Sequence, residues 1–215
     1  MTKHEIIARL LDPGVIAIIR ADSSDELLHV ARALVEGGVT AMEVTMTTPN
    51  ALRFINEAVS EFGDALLMGA GTVLDTGTCR DAIISGAEFV VTPVTKLAVI
   101  EACNRFDKPI ASGAFTPTEA LLAHESGADF VKLFPADQAG PTYIKTILAP
   151  LPMLRIIPTG GVTPETAGAF IHAGCVALGA GSGLVSKEAL KNKDWSGIAA
   201  AARRFVDAVR KARAL

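Results

Sequence analysis

The sequence predicts an α/β fold: a (β/α)8 TIM barrel with an extra N-terminal helix, one domain over residues 1–215. Three observations predict it. Short apolar, β-branched runs alternate with amphipathic segments eight times. The runs are apolar throughout, as strands of a parallel sheet covered by helices must be. Eight such units in about 200 residues match a single barrel.

The elements follow in order. Lys3 to Leu11 places Ile6, Ile7, Leu10 and Leu11 on one helical face, and Asp12, Pro13 and Gly14 stop the helix. VIAIIR (15–20) is the first strand, bounded by turn residues. Asp25 to Glu36 is an amphipathic helix that ends at Gly37-Gly38. TAMEV (40–44), LLMGAG (66–71) and EFVVTP (88–93) are the next strands. Their helices run over Pro49 to Phe62, Asp75 to Ser85 and Lys96 to Arg105. PIASG (109–113), DFVKLF (129–134) and RIIPTGG (155–161) continue the pattern, followed by helices over Pro117 to Ser126, Thr142 to Leu148 and Pro164 to His172. CVALGAG (175–181) is the eighth strand, and a long helix near Trp195 to Ala214 closes the chain. A doubly wound sheet is the rival, but the turn after Arg20 lacks the glycines of a dinucleotide fingerprint.

Half of the residues are apolar, and 20 basic against 23 acidic residues leave a net charge of −3 without long runs of one sign. That balance argues against a nucleic-acid or membrane-surface partner. The N-terminus has no apolar signal core, and no stretch is long enough to span a bilayer, so a cytoplasmic enzyme is expected. Cys79, Cys103 and Cys175 are odd in number and widely spaced, which predicts free thiols. His4, His29, His124 and His172 fall on outer helices without carboxylates at ligand spacing, so no metal and no cofactor are expected.

Barrel chemistry sits at the C-terminal strand ends. There the sequence places Arg20, Glu43, Thr72, Thr92-Pro93, Ser112-Gly113, Lys132, Thr159 and Gly179 to Ser182. Arg20, Glu43 and Lys132 are expected to project into one mouth. Lys132 stands inside FVKLFPA, where apolar surroundings disfavour the ammonium form and free an amine to attack a ketone. The other eight lysines fall in or beside helices and turns. Glu43, mid-strand in AMEVTM, could move protons as acid and base, or pair structurally with Lys132 or Arg20. The glycines of PTGGV and GAGSG follow the seventh and eighth strands, where barrels build phosphate cradles; Gly160, Gly161, Gly181 and Ser182 are the candidates. Pro93 and Phe134 are further candidates to line the pocket. GAGTV (69–73) lacks the lysine and spacing of a P-loop and delivers Thr72.

Taken together, IAIIR, GGVTAMEVTMTTP, GAGTVLD, VTP followed by TPTEA, FVKLFPA and PTGGVTPE resemble the 2-keto-3-deoxy-6-phosphogluconate (KDPG) and 4-hydroxy-2-oxoglutarate (KHG) aldolases, from about residue 4 to residue 210. The resemblance implies a class I aldolase that releases pyruvate and glyceraldehyde 3-phosphate from a phosphorylated keto-acid. It implies Lys132 as the Schiff-base lysine, Glu43 as general acid and base, Thr72 and Arg20 on the carboxylate, and Thr159 with Gly160-Gly161 on the hydroxyls and phosphate. It also implies a homotrimer. Some members carry an arginine where this chain has Thr47, which shifts the carboxylate's charge toward Arg20. Gluconate enzymes tend to have threonine at position 159 and galactonate enzymes valine, so Thr159 favours the gluconate epimer. QAGPTYIK and GVTPETAGAFIHAGC resemble the galactonate branch. The remaining alternatives are another phosphate-binding barrel, an epimerase or a thiamine-phosphate-synthase-like transferase, and a ligand-binding or assembly barrel without catalysis.

Overall fold

The computed structural model describes residues 1–21 and 26–214. After α1 (Lys3–Leu11), eight strands alternate with helices: β1 (Val15–Ile19), α2 (Leu27–Glu36), β2 (Ala41–Thr45), α3 (Ala51–Phe62), β3 (Leu67–Gly71) and α4 (Thr76–Ile84). β4 (Phe89–Val91), α5 (Leu97–Arg105), β5 (Ile110–Ala114), α6 (Pro117–Glu125), β6 (Phe130–Leu133) and α7 (Ala136–Leu148) follow. β7 (Ile156–Pro158), α8 (Pro164–His172), β8 (Leu178–Ala180), α9 (Lys187–Lys191) and α10 (Trp195–Arg213) complete the chain. All strand pairings are parallel, in the order β7-β6-β5-β4-β3-β2-β1-β8. A bridge between Thr159 and Gly179 joins the two outer strands and closes the barrel. The expected fold with its leading helix is therefore the one observed.

Alternation along the strands makes two cores. Outward residues such as Val15, Ala17, Met42, Val44, Val131 and Leu178 pack against the helices. Inward residues Ile16, Ala41, Leu67, Phe89, Phe130 and Ile157 form a second cluster with Ile6 and Leu10 of α1. These are the first inward residues of their strands, so α1 plugs the N-terminal end of the barrel. One step up, β1 and β4 keep Ile18 and Val91, and the other six positions are Glu43, Gly69, Gly113, Lys132, Thr159 and Gly179. A side chain at Gly69 would overlap the Phe89 ring, and one at Gly71 would crowd the Glu43 carboxylate. The lower layer is thus filled by large apolar side chains, and the layer above holds the polar and charged inward residues, toward the C-terminal face.

Most differences from the sequence reading are one to three residues at element ends. Two are larger. α7 begins at Ala136, not Thr142, and is broken at Gly140 (φ 71°, ψ 169°) ahead of Pro141, which has no amide hydrogen to extend a helix. The short helix α9 was not expected; Ser186 caps it by accepting from the Ala189 amide at 3.0 Å. The expected helix start at Asp25 lies outside the described residues; the helix is described from Leu27. α10 packs on α8 and α2 and completes the helical ring, and the four histidines lie on α1, α2, α6 and α8 as expected. The three cysteines are free and buried, with Cys79 and Cys103 Sγ atoms 3.5 Å apart between α4 and α5.

Candidate active site

β6 and β2 carry the two charged residues of the barrel interior. Lys132 pairs in register with Gly113 and Ile157, and Glu43 with Ile18 and Gly69. Their neighbours in the ladder are small or apolar, so the two side chains meet across the barrel. Lys132 Nζ lies 3.9 Å from Glu43 Oε1, with side chains 7% and 1% exposed. That Glu43 oxygen is buried and has no hydrogen-bond partner. Desolvation raises the Glu43 pKa above its ordinary value of 4.5, and the charge of Lys132 opposes the rise only in part. The amine also sits 5.4 Å from the centre of the Phe134 ring, one residue past the end of β6.

Above this pair opens a cleft of about 800 Å3. Thr45, Phe134 and Thr159 line it, and Thr45 and Phe134 are each two residues beyond Glu43 and Lys132. The buried pair is thus one layer below the cleft. Gly160, Gly161, Gly181 and Ser182 form another wall. Gly160 and Gly161 have φ of 98° and 67°, a backbone geometry that glycine takes without strain. Thr159 is held by its backbone: its amide donates to Leu133 O at 2.9 Å, and its carbonyl accepts from the Ala136 amide at 2.7 Å.

The expected charged trio divides in two. Glu43 and Lys132 are buried together, whereas Arg20, one residue past β1, is exposed and lines the cleft. Thr72 follows β3 with a left-handed φ of 58° and is half-buried beyond the cleft walls. Thr47 is exposed, and its hydroxyl lies 2.8 Å from that of Thr45. Pro93 packs its backbone against Gly113, where a Cβ would overlap it. Thr92 pins that contact by accepting from the Gly113 amide at 3.1 Å and donating to Val94 O at 2.8 Å.

Sequence reasoning missed four residues. Thr45 is buried and lines the cleft; its place two residues after Glu43 was a usable signal. Thr48 is buried, and its hydroxyl accepts from the Ala21 amide at 3.3 Å, tying the loop that carries Arg20 to β2. Lys187 and Lys191 line the cleft from α9, and nothing in their local sequence separates them from surface lysines.

The sequence profile described as "KDPG and KHG aldolase" matches residues 6–201. The chain belongs to that family. This aldolase, a carbon–carbon lyase, is 37% identical over 171 residues to the 2-dehydro-3-deoxy-6-phosphogalactonate aldolase of Escherichia coli, covering 79% of this chain and 83% of the relative. It is 30% identical over 213 residues to the 2-dehydro-3-deoxy-phosphogluconate aldolase of Haemophilus influenzae, covering 97% and 99%. Its fold superposes on a KDPG aldolase from Legionella pneumophila, whose structure holds pyruvate captured at low pH as a covalent carbinolamine intermediate. The TM-score is 0.81 at 29% identity, over 88% of this chain and 92% of that one. Among the described residues no cluster of three His, Cys, Asp or Glu side chains could hold a metal, and no helix is long and apolar enough to cross a membrane.

Proposed function

We propose that this aldolase works through a Schiff base on Lys132 and cleaves 2-keto-3-deoxy-6-phosphogluconate into pyruvate and glyceraldehyde 3-phosphate. The observation that carries the reading is the buried Lys132–Glu43 pair beneath an open cleft. Lys132 Nζ attacks the C2 ketone, and the carbinolamine loses water to leave an iminium. Glu43 takes the C4 hydroxyl proton, the C3–C4 bond breaks, and its electron pair moves into the iminium to give an enamine. The aldehyde leaves. Glu43 returns the proton to C3, and water hydrolyses the new iminium to pyruvate and free lysine. Because the iminium is the electron sink, no metal or cofactor is required.

Thr72 and Arg20 take the carboxylate in this reading. Pro93 and Phe134 shape the keto-acid end, with Thr47 behind Thr45. Gly160, Gly161, Gly181 and Ser182 hold the phosphate through backbone amides. The buried Thr159 hydroxyl supports the gluconate epimer, since a site built to pair a substrate hydroxyl rejects the epimer that leaves it unpaired. The higher identity to a galactonate-acting relative favours the other epimer as the second reading. KHG, which has no phosphate, is a further substrate of the same chemistry.

Borohydride added with pyruvate is expected to leave a reduced pyruvyl adduct on Lys132, read by mass spectrometry. Lys132→Ala should trap nothing and release no pyruvate. Retained turnover in that variant would transfer the chain to another phosphate-binding barrel chemistry. Turnover should persist in excess chelator, and a chelator-sensitive enzyme would contradict the Schiff-base route. Comparing kcat/KM for the two epimers and KHG decides the substrate.

The partner proposed is a homotrimer in the cytoplasm. Leu74, Val94, Leu97 and Phe115 are exposed on or just after the loops that follow β3, β4 and β5, apolar side chains that subunit contact would cover.

A further inference from the structure

The cleft has a charge pattern that the chemistry at Lys132 does not use. Lys187 and Lys191 stand four residues apart on α9, so they share one face of that helix, and both line the cleft with the glycine loops after β7 and β8. Arg20, assigned above to the carboxylate, lines the same space. Among the described residues the cleft has one acidic lining residue, Glu26, and its carboxylate is 2.8 Å from Lys193 just beyond α9. Neither Lys187 nor Lys191 has an ion-pair partner among the described residues, and the nearest acid on their own helix is Glu188. The chain as a whole carries −3, so two lysines without an ion-pair partner among the described residues run against the global balance at this wall.

We propose that Lys187 and Lys191 form a cationic rim that selects substrates by a phosphate at the end remote from Lys132. The proposal rests on the Schiff-base reading for which end of the substrate reaches the amine. The glycine loops can offer neutral N–H donors, which orient a phosphate but add no net charge. Two flexible ammonium groups supply the charge that a dianion requires, and at an exposed rim they act on capture more than on the bond-breaking step. A phosphate-free keto-acid gains nothing from them. α9 therefore separates phosphorylated substrates from their phosphate-free analogues, and Lys132 and Glu43 act on both alike.

The test uses Lys187→Gln, Lys191→Gln, the double variant and the double Arg variant in the full-length enzyme. With the phosphorylated substrate, KM is expected to rise about threefold for each single change and about tenfold for the pair, the size of exposed charge pairs, with kcat within about twofold. The dissociation constant of inorganic phosphate, titrated by calorimetry, should rise in parallel, and its salt dependence should flatten. The Arg variant should restore both. The pyruvate concentration that half-saturates borohydride trapping should stay at the wild-type value. An unchanged phosphate affinity and KM in the double Gln variant overturns the rim. So does an equal rise in the pyruvate requirement, which would mean a generally loosened site. Phosphate titration needs no turnover, so a failure of the rim and a failure of the Schiff base read out separately.

Discussion

At the residue scale, the proposed chemistry turns on the Glu43 carboxylate. It is buried, one oxygen lacks any hydrogen bond, and its nearest opposite charge is 3.9 Å away. A carboxylate so placed is held above its ordinary pKa by desolvation, which the charge of Lys132 offsets only in part. Two outcomes follow from the sign of that shift. A group whose folded pKa is raised adds stability below the unfolded value of 4.5 and loses it as pH rises through the folded value. The melting temperature of Glu43→Gln should therefore gain on the wild type as pH rises from about 4 to 8, measured by calorimetry at each pH. The same substitution should lower kcat by about 10²- to 10⁴-fold, the usual contribution of a positioned acid–base group. The acid limb of the wild-type kcat profile should lie above 4.5. Lys132 and Glu43 were legible in the sequence because a charge inside an apolar strand stands out. Their approach to one another was not, because it depends on β2 and β6 facing each other across a closed barrel.

Among the elements, β7 and β8 join the closure of the sheet to the shape of the site. Their bridge pairs Thr159 with Gly179, and a side chain at 179 would overlap the Thr159 hydroxyl and crowd Ile18. Gly179 is the space that lets Thr159 hold its position in the cleft wall. Gly179→Ala should push that hydroxyl aside and narrow the kcat/KM ratio between the two epimers by about tenfold, while pyruvate trapping on Lys132 survives. A ratio equal to the wild type would remove Thr159 from epimer choice. α9 shows the opposite limit of legibility. Its five residues lie in a polar stretch with no apolar period, and its place in the cleft wall follows from the path of the β8–α10 connection.

At the scale of the whole molecule, the barrel is a stack. α1 seals one end with Ile6 and Leu10, the large inward residues fill the lower layer, and glycines in the layer above give their space to neighbouring groups such as the Glu43 carboxylate. Ile6 is 0% and Leu10 2% exposed, so each change to alanine should cost about 2–5 kcal/mol in denaturant unfolding. Arg213 ties the last helix to the same end by donating to Leu11 O and Val176 O, both at 2.8 Å. Light scattering should give about three times the 22.4 kDa chain mass, and charged substitutions at Leu97 and Phe115 should lower it toward the monomer. A monomeric wild type would leave these apolar side chains without a subunit to cover them.

The sequence by itself determined the fold class, the leading helix, the eight strands and the identity of the two buried charges. It could do so because strand and helix periods and a charge in an apolar run are local signals. Only the tertiary structure decided that Arg20 stands at the rim while Glu43 and Lys132 meet inside, that Gly179 makes room for Thr159, and that two lysines from an unforeseen helix face the cleft. Those facts depend on which residues the closed sheet and its last connection bring together, and no spacing along the chain encodes a distance across a barrel.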